Sequence, residues 1–169
     1  MNERLNSDSY TNYHMAIYAT LCIIKNNDQI LLQLKSEGRF GAGKWNGTGG
    51  KVNPDETPFN AAVREVEEET GLKVTGLKLH GVLQHYFGTE DPNPWIVYVY
   101  STSTYQGTPR SSPEGKLKWF TKENIPYEHM WQDDKYWIPL LLADLEFTGE
   151  FHFNTEGSKL LKHQLVIKD

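Results

Sequence analysis

Cysteine is nearly absent: Cys22 is the only one in 169 residues. A lone thiol excludes an internal disulfide scaffold. Its setting in the apolar run Ala19-Thr20-Leu21-Cys22-Ile23-Ile24 predicts a buried structural thiol rather than a nucleophile. Long apolar runs are missing too. Nothing approaches the roughly 20 apolar residues of a membrane span, and the polar stretch from Met1 to His14 has no apolar core of a signal peptide. A cytoplasmic protein is expected. Excess positive charge is the third absence. Seventeen Lys and Arg face 22 Asp and Glu, a formal net charge of −5, so no general attraction to nucleic acid or an anionic membrane is expected.

What is present suits one globular domain. Hydrophobic residues make up 38% and charged residues 23%, ordinary values for a chain that buries its own core. Residues 1–14 read as an N-terminal arm and 15–169 as a single domain. The β-branched and aromatic content of Met15 to Ile24 favours a strand. Asn26-Asn27-Asp28 is turn chemistry, and Gln29 to Leu34 reads as the returning strand. Lys35 to Gly50 carries too many glycines for a helix and predicts a loop and short strand that approach something closely. Thr57-Pro58 starts a helix and Gly71 stops it, with Phe59, Ala62, Val63 and Val66 as its apolar face. Strands follow at Val82 to Phe87 and Ile96 to Thr102. A Gly/Pro/Ser loop from Gln106 to Gly115 leads to a strand at Leu117 to Phe120. A second helix is predicted to include Leu140 to Leu145, with Pro139 near its start because proline is poorly tolerated in a helix interior. Phe151 to Phe153 and Leu165 to Ile167 pair as a closing hairpin. Trp45, Trp119 and Trp137 read as core. The class is α+β, a mixed sheet with a helix on each face.

Five glutamates crowd the first helix and its approach: Glu56, Glu65, Glu67, Glu68 and Glu69. At 100° per residue, Glu65, Glu68 and Glu69 fall within an arc of roughly 100°, while Glu67 points away. Like charges so spaced repel by a few tenths of a kcal/mol per pair. A hard cation would reverse that cost, since Mg²⁺ prefers carboxylate and phosphate oxygens. A solvated acidic face is the alternative on the carboxylates alone. The surrounding residues decide against it. Gly50, Glu56, Arg64, Glu65, Val66, Glu68, Glu69, Gly71 and Leu72 match the Nudix box at every position. Its seven fixed residues agree by chance at roughly 10⁻⁹ to 10⁻⁸ per start, given residue frequencies of several per cent.

The chain therefore resembles the Nudix hydrolases. That resemblance implies an α/β/α sandwich around a mixed sheet, with metal ligands Glu65, Glu68 and Glu69 joined by the Gly49 carbonyl. It implies Mg²⁺, with Mn²⁺ as the alternative, and attack of water on phosphorus. Glu69 is expected to be a ligand first, and Glu114 from the 106–115 loop a further ligand or the base. Glu56 and Arg64 are expected to be scaffold, an ion pair that aims Glu65. Further segments resemble the oxidised purine nucleoside triphosphatase branch: Phe40 to Gly47, Gly49 to Val52, Gln106 to Pro109, Met130 to Asp134 and Tyr136 to Leu142. The implied substrate is a free nucleotide such as 8-oxo-dGTP, and a monomer is expected. Trp131 offers a stacking face, Phe40 another wall, and Asn46 both donates and accepts. Asp133 and Asp134 are adjacent acceptors, either of which donates if protonated; capping a helix is their alternative role. By resemblance, Thr20, Lys35, Gly49 and Gly50 line the site and Lys51 lies near the phosphates. Two positions depart from the branch, where His85 stands for its usual Phe and Trp95 for its usual Met. They make the pocket more polar on one side and narrower on another. The alternatives are another Nudix activity, on unmodified dNTPs or nucleoside diphosphate-sugars, and a non-catalytic nucleotide-binding module.

Overall fold

The protein is described from a computed structural model that covers residues 16–89 and 93–169. The arm at 1–14 lies outside them. Eleven strands and two α-helices follow in chain order: β1 Ile17–Asn26, β2 Gln29–Lys35, β3 Trp45–Asn46, β4 Thr48–Lys51, α1 Pro58–Thr70, β5 Lys73–Thr75, β6 Lys78–Phe87, β7 Trp95–Thr102, β8 Thr104–Gln106, β9 Gly115–Thr121, α2 Asp134–Leu142, β10 Phe147–Phe153 and β11 Leu160–Ile167.

Nine strands form one mixed sheet in the order β11-β10-β6-β7-β1-β2-β3, with β4 also on β1 and β9 on β2. Pairs β1/β7 and β6/β10 are parallel and the others antiparallel. A separate pair, β5/β8, flanks it. The turn between β1 and β2 puts Asn27 at φ 53°, which asparagine tolerates better than most residues.

Side-chain alternation along the strands sends alternate residues to opposite faces. Cys22, Ile24 and Leu31 pack with Ala62 and Val66 of α1. Their neighbours Ile23, Ile30 and Leu32 pack with Trp137, Ile138 and Leu141 of α2. The sheet is therefore sandwiched between two helices, as the sequence predicts.

Helix α1 has the predicted limits. Thr57 accepts from Asn60 N–H at 3.1 Å, Pro58 occupies the first turn, and Gly71 at φ 73° donates its N–H to Glu67. A cap of this kind contributes about 1 kcal/mol. Its buried stripe is Ala61, Ala62, Val66, Glu69 and Thr70. Phe59, predicted on that face, is 44% exposed and meets Tyr100 edge-on.

Helix α2 corrects the sequence reading. It begins at Asp134 and ends at Leu142, so Pro139 lies inside it and 143–145 lie beyond it. The proline removes the N–H that would bond the Lys135 carbonyl. Both residues are exposed, so water can satisfy that group.

Candidate active site

A cavity of about 680 Å³ opens between β1, β4, α1, β6, β7 and the start of α2. Its lining includes Thr20, Lys35, Phe40, Asn46, Gly49, Gly50, Lys51, Glu65, Glu68, Glu69, Glu114, Trp131, Asp133 and Asp134. Every metal-binding or substrate-binding residue predicted from the sequence therefore faces one space. Glu56 and Arg64 stand behind it.

One end is acidic. Strand β4 pairs with β1 at Thr20↔Gly50 and Leu21↔Gly49, which brings the strand against α1. A side chain at Gly50 would collide with the Glu65 carboxylate, and one at Gly49 with the Thr20 carbonyl. Both positions need glycine for close approach. Arg64 holds the carboxylates in place: Nε and Nη2 donate to Glu56 at 2.7 and 2.9 Å, and Nη1 donates to Glu65 at 2.8 Å and Glu68 at 3.2 Å. Its Nη2 also donates to the Lys51 carbonyl at 3.2 Å, tying the loop to the helix. The guanidinium lowers the Glu56 carboxyl below its ordinary range, chiefly through these hydrogen bonds.

Glu69 differs from the other helix carboxylates. It is 3% exposed, and burial lifts its carboxyl to about 7 against the opposing pull of Lys35, whose Nζ lies 3.2 Å from Oε1, and of the Gly49 N–H. Glu65 adds to the rise through charge repulsion. Its second oxygen, Oε2, is buried without a partner, as is the Thr20 hydroxyl. Hard oxygen donors on one arc and an orphaned buried carboxylate oxygen fit a divalent cation. Among the described residues, however, no three acidic, imidazole or thiol side chains converge on one point as they stand. Arg64 engages Glu65 and Glu68 instead.

Glu114 borders the mouth, where Arg39 pairs with it at 3.0 Å. The sequence reading did not single out Arg39; its place four residues from Lys35 in a glycine-rich loop carries no distinguishing pattern.

The other end is aromatic. Phe40 stacks on Trp95 (centroids 5.1 Å apart, 8° between planes) and on Trp131 (5.3 Å, 28°). It is nevertheless 61% exposed. Lys51 and Lys44 lie over the Trp95 and Trp131 rings, each at 5.4 Å. The Trp131 face predicted to receive a ligand ring thus carries Phe40. Asn46 spends its Oδ1 on the Gly47 N–H at 2.9 Å, which leaves its amide N–H groups as its chief offering.

The floor is built by Asp133 and Asp134, which are 2% and 3% exposed. Asp133 holds the position before α2, yet its side chain caps nothing. Its Oδ2 lies 2.8 Å from His85 Nε2 and accepts from Trp137 Nε1 at 3.3 Å. Asp134 Oδ2 accepts from the Trp131 N–H at 3.2 Å. Burial first, and the neighbouring Asp133 second, push the Asp134 carboxyl well above the usual range. The Trp131 N–H, the Trp137 indole and Lys44 pull the other way. Capping alone does not describe this pair. Trp137, read as core, is both: it is 1% exposed within the α2 cluster and it also lines the cavity. Trp45 and Trp119 only flank the two cores.

Residues 15–141 match the NUDIX domain family. The chain is 40% identical over 141 residues to the oxidized purine nucleoside triphosphate hydrolase of Mus musculus, covering 83% of this chain and 89% of that protein. It is 39% identical over 146 residues to the protein of the same name from Danio rerio, covering 86% and 92%. The crystal structure of a mutator MutT protein from Bacillus halodurans superposes with a TM-score of 0.79 at 29% identity, covering 88% of this chain and 97% of that one.

Proposed function

The chain belongs to the Nudix hydrolase family, and from that membership we propose that it hydrolyses oxidised purine nucleoside triphosphates. The preferred substrate is of the 8-oxo-dGTP type, and the products are the nucleoside monophosphate and pyrophosphate. Such an activity removes damaged precursors from the nucleotide pool. One observation carries the reading: a single cavity has a glutamate arc at one end and a buried carboxyl pair among aromatic rings at the other. A triphosphate needs the first and a purine edge needs the second.

In this reading Glu65, Glu68 and Glu69, with the Gly49 carbonyl and Glu114, hold a divalent cation, Mg²⁺ or Mn²⁺. The cation supplies charge neutralisation and Lewis acidity toward phosphate oxygens. Arg64 and Glu56 position Glu65. Glu69 accepts the proton of the attacking water. Lys35 keeps that carboxylate oriented and Lys51 faces the phosphates. At the other end the base takes the place on Trp131 that Phe40 holds, with Phe40 displaced to form the other wall; Asn46 donates to it, and Thr20 turns its free hydroxyl into the site. Asp134 donates to the purine edge and Asp133 accepts from it. Among the described residues no helix is long and apolar enough to cross a membrane, and the substrate is a free small molecule.

The test is a panel of ordinary and oxidised dNTPs with Mg²⁺, Mn²⁺ or chelator, with products resolved by chromatography. The expected result is metal-dependent release of monophosphate and pyrophosphate, fastest from an oxidised purine. Equal rates on dGTP and 8-oxo-dGTP would refute the substrate class. Cleavage of nucleoside diphosphate-sugars in preference to triphosphates would refute the reaction.

A further inference from the structure

Strand β6 and the start of α2 meet in the cavity floor through a polar contact between His85 and Asp133. His85 Nε2 lies 2.8 Å from Asp133 Oδ2, at hydrogen-bond distance, and the side chains are 14% and 3% exposed. The imidazole lies against Phe151 (5.6 Å, 19°) and Phe153 (6.3 Å, 28°), so its plane is set by β10. The Trp137 indole N–H converges on the same oxygen. With the imidazole proton on Nε2, two N–H donors meet on one carboxyl oxygen and favour it as an acceptor. Asp134, one residue on, is offered the Trp131 N–H at 3.2 Å and shares the Trp137 indole, but has no imidazole. Two adjacent buried carboxyls do not both ionise readily, and His85 breaks the symmetry between them.

We infer that His85 is a specificity-determining positioning residue: by holding Asp133 as the acceptor it leaves the proton on Asp134, so the pocket presents one fixed acceptor–donor order to the base. The inference rests on the function proposed above and narrows its substrate class. From C2 to C6, the pairing edge of an oxidised guanine reads donor, donor, acceptor. The keto form of 2-hydroxyadenine reads acceptor, donor, donor. The two orders are opposed. A carboxyl pair whose proton exchanges freely serves both, whereas a pair with a tethered proton serves one. For a purine seated with its C2 side toward Asp133, the guanine order is the one selected, with its N–H donors toward Asp133 and its O6 toward Asp134.

The titratable groups around the imidazole are Asp133 and Asp134, with His163 of β11 across Phe151 and Lys44 over Trp131. The experiment compares wild type, His85→Phe and His85→Gln. Phe keeps the ring packing and removes the donor; Gln keeps an N–H at about the reach of Nε2. The readouts are kcat/KM for 8-oxo-dGTP and 2-hydroxy-dATP from about pH 6 to about pH 9, and calorimetric Kd for the two monophosphate products. Wild type is expected to favour the guanine by about tenfold or more, the equivalent of one pKa unit in the proton's placement, at a ratio that stays flat with pH. His85→Phe is expected to bring both the kcat/KM and the Kd ratios toward one and make them vary with pH, mostly through KM. His85→Gln is expected to restore them. A wild-type ratio near one or favouring the adenine overturns the inference, as does a His85→Phe ratio within about twofold of wild type. Those outcomes leave the triphosphatase reading standing; that reading fails if wild type hydrolyses neither nucleotide.

Discussion

Adding a single methyl group at each of two adjacent glycines separates chemistry from folding. An alanine Cβ at position 50 would lie 2.5 Å from Glu65 Oε1 and 2.6 Å from its Cδ, where ordinary contact begins at 3.4 Å. The carboxylate must therefore retreat by about 1 Å, a displacement that can cost about 10²-fold when the group positions a reaction. It can retreat, because it ends a flexible side chain held by a partly exposed Arg64. Breaking that pair costs at most about 1 kcal/mol. An alanine at position 49 meets backbone instead, with its Cβ 2.0 Å from the Thr20 carbonyl oxygen and 3.0 Å from Leu21 Cα. Neither can move without opening the β1/β4 pairing. Overpacking of this kind costs about 1–3 kcal/mol or more, and a chain of this size loses roughly 2–4 °C of Tm per kcal/mol. The assay is kcat on 8-oxo-dGTP at saturating Mg²⁺ beside thermal unfolding by circular dichroism. Gly50→Ala is expected to lose about two orders of magnitude in kcat with little change in Tm; Gly49→Ala is expected to lose several degrees. Wild-type turnover by Gly50→Ala, or an equal loss of Tm in both variants, would refute the reasoning.

Three further outcomes follow, two from the site and one from a buried histidine outside it. Glu69→Gln is expected to lower kcat by about 10²–10⁴-fold with Tm unchanged or raised, since burial disfavours the charge it removes; substantial turnover at saturating metal would remove Glu69 from the chemistry. Trp131→Ala is expected to raise KM about tenfold while kcat stays within about threefold, because stacking holds the base equally in ground and transition states. A collapsed kcat at constant KM would place Trp131 elsewhere. His80 is 1% exposed, bonded to the Leu145 carbonyl and the Ser101 hydroxyl, and burial depresses its pKa. The unfolded chain then takes up the proton first, so this contribution to stability is present above about pH 6.5 and lost as pH falls through the folded value. His80→Gln should flatten the fall of Tm with acid, and an unchanged slope would count against it.

Local backbone preference and periodicity made much of this protein legible without coordinates. Thr57, Pro58 and Gly71 delimit α1 because a capping hydroxyl, a preset φ and a left-handed residue each act within a few bonds of the backbone. The 3.6-residue repeat alone puts Glu65, Glu68 and Glu69 on one arc. The β-branched and aromatic content of Met15 to Ile24 likewise marks the strand found at Ile17–Asn26. Pairing between distant segments decided the remainder. Proline preference placed the start of α2 at Pro139, but packing of Trp137, Ile138 and Leu141 on the sheet extends the helix back to Asp134 and leaves the proline exposed. The resemblance implied the Arg64–Glu56 pair, but its geometry depends on how the loop after β4 returns to α1, whereas Glu65 and Glu68 lie one and four residues from Arg64 on the same helix. His85 and Asp133 are 48 residues apart in the chain. They meet because β10 pairs in parallel with β6 and fixes the imidazole plane, while α2 brings its first residues beneath that ring. No local pattern encodes such a contact, since its partners become neighbours only when the sheet closes.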